Sequence, residues 1–134
     1  MGDLADGDYR ALARRRHALR TFLRASEQEA RRVGLTPAQH QLLLIIRGFG
    51  PDGAPSVSQL TEQLQQRHHS VVELVDRAEA SGLVSREQDR TDRRRHLVRL
   101  TPRGARVLAR LSQAHRRELG RFQHEMAQVI QDPG

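Results

Sequence analysis

The sequence predicts a mainly helical chain carrying one small β-hairpin. Three observations lead there. Apolar residues recur at helical spacing through two long stretches, 8–33 and 102–130. Between them, Gly and Pro cut the chain into shorter pieces, three of which keep the helical period. Between Gly82 and Thr101 the pattern becomes two short apolar runs around an arginine-rich tip. The 134 residues amount to about one domain. Apolar residues make up 37% and aromatics only 3%, so the core is small and aliphatic. The same scarcity excludes the stacking platforms of single-strand binders.

Residues 1–7 are small and acidic and read as a disordered lead-in. Asp8 is placed to cap a first helix to Val33, and Gly34 stops it. Leu12, Leu19, Phe22 or Leu23, Ala30 and Val33 fall near one stripe of that helix. Arg10, Arg14, Arg15, Arg20, Arg24 and Arg31 take the opposite face. Thr36-Pro37 starts a second helix to about Arg47, with a capping hydroxyl followed by proline at the first helical position. Its run LLLII (42–46) sets it centrally in the core. Residues 48–56, GFGPDGAPS, form a loop. No Lys-Ser/Thr follows the glycines, so a connection is favoured over a phosphate cradle. Ser58 is placed to cap a short helix bearing Leu60 and Leu64. A polar turn at 65–67 leads to a helix from about His68 to Ser81, with Val71, Leu74, Val75 and Ala78 facing inward and Gly82 at its C-cap. Strands at 83–86 and 96–100 flank a charged tip, 87–95. In the second strand Val98 and Leu100 share one face, Leu97 and Arg99 the other. Thr101-Pro102 opens the last helix, whose stripe is Leu108, Leu111, His115, Leu119, Phe122, Met126 and Val129.

Twenty-three basic residues, all arginine, face sixteen acids, for a net charge of +7. That balance suits a polyanionic partner, nucleic acid before an anionic membrane surface. Without cysteine there is no disulfide, thiolate zinc site or thiol redox switch. The longest apolar run falls far short of the roughly 20 residues that span a bilayer, and the acidic start lacks the apolar core of a secretory signal. The expectation is a cytoplasmic protein. No nucleophile elbow, P-loop, dinucleotide fingerprint or HExxH sequence is present, so the expectation is also a non-enzyme without cofactor.

Short helix, turn, second helix, strand, charged tip, strand is the order of a winged helix-turn-helix, here flanked by long N- and C-terminal helices. In that arrangement the second helix enters a major groove. Its first turn would present Arg67, His68, His69 and Ser70. Arg90, Arg93, Arg94 and Arg95 at the hairpin tip would neutralise phosphates or enter a narrow minor groove. Taken alone, such a tip is as readily a solvated loop. His68-His69 reads bases, binds a metal or is a polar helix start. Neighbouring helical positions point about 100° apart and chelate poorly, which disfavours the metal. Glu73, one turn beyond His69, either accepts from a cytosine amino group or is a plain surface charge.

At these residues the chain resembles the MarR family of bacterial transcription regulators. The stretches that carry the resemblance are LTPAQHQLL (35–43), LVDRAEASGLVSR (74–86) and DRTDRRRHLVRLTPRG (89–104). It covers nearly the whole chain as one domain, with a winged part at 36–100 and dimerisation helices at 8–33 and 102–130. It implies a homodimer on a pseudo-palindromic double-stranded operator, usually as a repressor. It also implies a small phenolic or lipophilic ligand between the two parts. By that resemblance Arg93 probes the minor groove, Asp92 and Arg94 brace the wing through an ion pair, Asp76 is structural and Arg77 touches phosphate. The turn departs from the family: Gln65 and Gln66 stand where a glycine and an apolar residue are usual.

His17, His40 and His115 lie on or near the presumed core helices. If they converge they line a ligand pocket or hold a metal; separately they are ordinary buried histidines. Three rivals share parts of this pattern: a non-specific architectural DNA-binding protein, a winged protein-interaction module and a metal-dependent sensor.

Overall fold

The computed structural model describes residues 2–50 and 53–131. The elements, in order, are α1 (Asp6–Arg32), α2 (Pro37–Gly48), α3 (Val57–Leu64), α4 (His68–Ala80), β1 (Val84–Gln88), β2 (His96–Leu100) and α5 (Pro102–Gln131). This is the expected mainly helical fold with one antiparallel hairpin, paired from Val84↔Leu100 to Gln88↔His96. The closing residues 132–134, the side chain of Val129 and loop residues 51–52 lie outside the described residues.

Side-chain caps fix the helix starts. Thr36 Oγ1 accepts from the Gln39 backbone N–H, and the Gln39 side chain accepts from the Thr36 N–H, both at 3.1 Å. Two of the expected caps are corrected. Ser56, not Ser58, begins α3, because Ser56 and Gln59 form the same reciprocal box while Ser58 lies inside the helix. The N-cap of α1 is Ala5; Asp8 sits three residues inside, and its Oδ2 accepts from the Ala5 N–H at 2.9 Å. The loop before α3 also joins the hairpin. Ser56 bridges Leu97, and the Val98 N–H donates to the Pro55 carbonyl at 2.9 Å.

The core sits where α2, α3, α4, the hairpin and the first turns of α5 meet. Leu42, Leu43, Leu60, Val71, Val75 and Val98 are fully buried there. In β2 Val98 is buried and Leu100 half-buried on one face; on the other Arg99 is exposed but Leu97, bridged to Ser56, is half-buried too. The hinge between the hairpin and α5 is close-packed. The Thr101 hydroxyl donates to the Gly82 carbonyl and accepts from the Gly104 N–H, and the Thr101 N–H donates to the Leu83 carbonyl. A methyl group at Gly104 would overlap that Leu83 carbonyl.

The two long helices pack against each other differently. Ala11 and Ala18 are the buried residues in the first four turns of α1, and further along Phe22 meets Phe122 with ring centroids 4.8 Å apart. The stripe read from the sequence divides: Ala30 is buried and Phe22 half-buried, while its leucines stay outside. Leu12, Leu19 and Leu23 are 43%, 46% and 48% exposed. They lie about 100° around the helix from the alanine seam.

Candidate nucleic-acid interface

The first turn of α4 is open. Its N-cap, Arg67, makes no side-chain capping bond, so the leading backbone N–H groups face outward without a side-chain acceptor. Arg67, His68 and His69 are exposed and Ser70 is half-buried. His68 leans back toward α3, its Nδ1 3.4 Å from Thr61 Oγ1. That hydroxyl donates to the Val57 carbonyl at 2.8 Å, so its oxygen is left to accept from the imidazole. Glu73 and Arg77 are exposed on the same helix. The turn before α4 has no glycine. Gln65 takes the left-handed conformation, φ 53° and ψ 41°. It is the one non-glycine residue at positive φ among the described residues.

Two aspartates build the hairpin tip. Asp89 Oδ1 accepts from the Thr91 N–H at 2.9 Å and from its hydroxyl at 2.8 Å. Those bonds, the backbone one foremost, hold the Asp89 carboxyl below its ordinary range, with help from the Asp92 N–H and the Arg95 charge. Asp92 Oδ1 accepts from the Arg94 N–H at 3.1 Å and pairs with its Nε at 3.3 Å, which is the contact expected of these two residues. The Asp89 N–H donates to the Arg95 carbonyl, the Arg95 N–H to the Asp92 carbonyl, and the Gln88 side chain to the Arg93 carbonyl. The tip is thus preformed. Arg90 and Arg93 stand exposed on it, with no side-chain partner among the described residues. Arg94, although paired, is 93% exposed. Arg95 instead leans back across the surface onto α3, still 45% exposed, its Nη2 3.4 Å from Gln59 Oε1 and its Nη1 3.9 Å from Asp89.

One residue escaped sequence reasoning. Arg86 on β1 pairs with Asp76 of α4 at 2.5 Å and with Glu79 at 3.8 Å. Asp76, expected to be structural, has this arginine as its partner. The signal was present as two acids three apart on a helix followed by an arginine in the next strand.

A second feature lies between α1, α2 and α5. A cavity of about 1010 Å³ is lined by Phe22, Leu23, Leu44, Leu119, His40 and His115 among others, and Gln66 of the turn reaches its wall. His40 and His115 stack, centroids 4.8 Å apart and planes 19° from parallel. Burial, and then the neighbouring His115, push His40 down to about 4. His115 Nδ1 lies 2.7 Å from the Leu111 carbonyl; a carbonyl only accepts, so Nδ1 carries the proton. Its Nε2 is buried without a partner among the described residues. His17, expected beside them, does not join. It follows Arg16 and precedes the seam residue Ala18, so it points about 100° away and is exposed. Among the described residues no group of three or more His, Asp or Glu is set to hold a metal. Among the same residues no helix is long and apolar enough to cross a membrane.

The sequence model of the MarR family matches residues 33–95. A protein of Thauera aromatica assigned to transcriptional regulation of the hcr operon is 33% identical over 106 residues, which is 76% of this chain. AbsC of Streptomyces coelicolor, a MarR family transcriptional regulator, has a similar fold. Its TM-score is 0.76 at 22% identity, over 91% of this chain and 82% of that one. These matches make the chain similar to the MarR family, the family model covering a little under half of it. It spans 62% of the length of its Thauera relative. A mutant MarR of Escherichia coli complexed with operator DNA also shares the fold. There the TM-score is 0.68 at 22% identity, over 83% of this chain and 75% of that one. The stretch matched by the MarR model runs from the end of α1 to Arg95. It therefore contains every residue named above in the α4 turn and the hairpin tip, and it leaves out most of the cavity wall supplied by α1 and α5.

Proposed function

We propose that this chain is a sequence-specific, double-stranded DNA-binding regulator of transcription that acts as a homodimer, by default as a repressor. The observation that carries the reading is the pairing of an uncapped, exposed α4 start with a preformed tip that holds Arg90 and Arg93 out. The open N–H groups and Arg67 suit a phosphate, and His69, Ser70 and Glu73 are placed to meet base edges in a major groove. Arg77 and Arg94 add phosphate contacts, and Arg93 enters the minor groove. The exposed Leu12, Leu19 and Leu23 are the surface a second copy covers. Two-fold symmetry then sets half-sites one helical turn apart, roughly 10 bp.

The cavity supports an effector site for a small phenolic or lipophilic compound, with His40 and His115 in its wall. Because Gln66 belongs both to that wall and to the turn ahead of α4, a ligand there bears on the recognition helix. Release from DNA follows if the ligand prefers the conformation that fits the operator less well.

The test is selection of duplexes from a random pool, followed by anisotropy titrations of the enriched duplex and a shuffled one over a salt series. A preference of about a thousandfold with a steep salt slope is expected. Arg93→Ala should weaken the enriched duplex several-fold or more and leave the oligomer intact. Equal affinity for both duplexes would favour the architectural rival.

A further inference from the structure

The hairpin is fastened to the helix-turn-helix at two places. At its base, Arg86 reaches three positions of α4. The guanidinium pairs with Asp76 and Glu79 and donates to the Val72 carbonyl at 3.4 Å, while its own backbone N–H donates to Glu79 Oε2 at 3.3 Å. Residues 72, 76 and 79 are four and three apart, so one arginine spans two turns along a single face of the helix. Only 26% of the Arg86 side chain remains exposed. Near the tip, Arg95 holds Gln59 of α3, which the Ser56 N–H already fixes. A hairpin attached to α4 at one end and α3 at the other cannot swing about its strands.

We propose that Arg86 and Arg95 are positioning residues that register the wing against the recognition helix, and that they set sequence discrimination without touching DNA. This rests on the DNA-binding reading above. Discrimination requires α4 and Arg93 to meet their grooves together, and it is lost when the angle between them wanders. Non-specific binding depends chiefly on the number of charges and tolerates that wandering. The planar fork of arginine makes several directed bonds, whereas lysine keeps the charge and loses the fork. Arg86→Lys and Arg95→Lys therefore separate position from charge. Asp76→Asn removes the same clasp from the helix side, and it takes away a negative charge rather than a positive one.

The experiment measures wild type and the three variants on the duplex that wild type enriches from a random pool and on its shuffled counterpart, over a salt series, with melting curves as a check of folding. Each variant should lower the preference ratio about tenfold or more. Affinity for the shuffled duplex should stay within about twofold for the lysine variants and not weaken for Asp76→Asn, with the salt slope unchanged. A preference kept within twofold by all three overturns the inference. So does a parallel loss on both duplexes with a shallower slope, which marks a phosphate contact. If wild type itself shows no preference, the DNA-binding reading fails and takes this one with it. If wild type discriminates and the variants do too, only the positioning role fails.

Discussion

The two halves of this molecule solve burial in opposite ways. In the winged half, short elements converge from several directions, and every large aliphatic side chain between them has neighbours: Leu42, Leu43, Leu60, Val71, Val75 and Val98 show no exposed surface. In the long-helix half, α1 buries mainly alanines, and one aromatic pair, Phe22 and Phe122, joins it to α5. Ala11 and Ala18 let the backbones approach, and Leu12, Leu19 and Leu23 are left on the outside. The winged half keeps most of its large apolar side chains inside, whereas α1 leaves a stripe of leucines exposed. On the function proposed above, recognition falls to the first half and assembly to the second.

The largest expected effect lies at the joint between the halves. Gly104 is the point where α5 presses on the backbone just before the hairpin's first strand, and the added methyl of Gly104→Ala has the Leu83 backbone to push against. Backbone on both sides cannot give way as a side-chain tip does. A loss of about 3 kcal/mol is expected, read as a drop of roughly 10 °C in melting temperature. Gly120→Ala, with open space around its Cβ, serves as the neutral partner. Equal melting of the two variants would mean that the joint yields to a methyl group.

Next comes the long-helix half. Leu19→Glu places a charge in the centre of the exposed stripe and disturbs no buried contact within the chain. Sedimentation should shift from dimer to monomer, while circular dichroism and the melting of the winged half change little. Leu60→Ala is the counterpart in the winged half. It should cost about 2–5 kcal/mol and leave the subunit count unchanged. A Leu19→Glu protein that stays dimeric would refute the stripe as the interface.

The sequence foretold the winged half better than the helical one, and the reason is physical. Thr36-Pro37, Thr101-Pro102 and the alternation in HLVRL are local signals that tertiary contacts had no cause to override. Ser56 was legible too, since Ser56 and Gln59 have capping-box spacing, but Ser58 competed for the same start. Along α1, size misled. A stripe of leucines usually marks the buried face, yet close helix packing selected the alanines beside it. The tip arginines were visible as a cluster, but no periodicity separates Arg93, which points out, from Arg95, which folds back onto Gln59. His17, His40 and His115 looked alike in sequence; only the packing of α2 on α5 joins the last two.

That histidine pair ties the halves together and gives the next prediction. His40 is held at about 4 in the folded chain against about 6.5 when unfolded, because burial and its stacked neighbour disfavour the charged ring. The unfolded state thus binds the proton more readily. The stability linked to a neutral His40 is present above pH 6.5 and is lost as pH falls toward 4. At pH 5.5 the loss is about 1 kcal/mol. His40→Phe keeps a ring in the stack and has no proton to take up. Its melting temperature should fall less between pH 7.5 and pH 5.5 than that of wild type. Identical slopes would assign the acid sensitivity to other groups.

The smallest effect lies in the winged half. Gln65 holds the helix-turn-helix turn in the left-handed region, where a Cβ costs roughly 1–2 kcal/mol. Glycine removes that strain and returns some of the gain as extra freedom of the unfolded chain, about 0.4–1 kcal/mol. Gln65→Gly should therefore stabilise by about half a kcal/mol, a rise of roughly 2 °C in melting temperature. Gln65→Ala separates the causes, because it deletes the exposed amide and keeps the Cβ. If strain is the cost, alanine gives no gain. If alanine stabilises as much as glycine, the glutamine side chain and not its backbone is the unfavourable element, and the turn is less strained than its angles suggest.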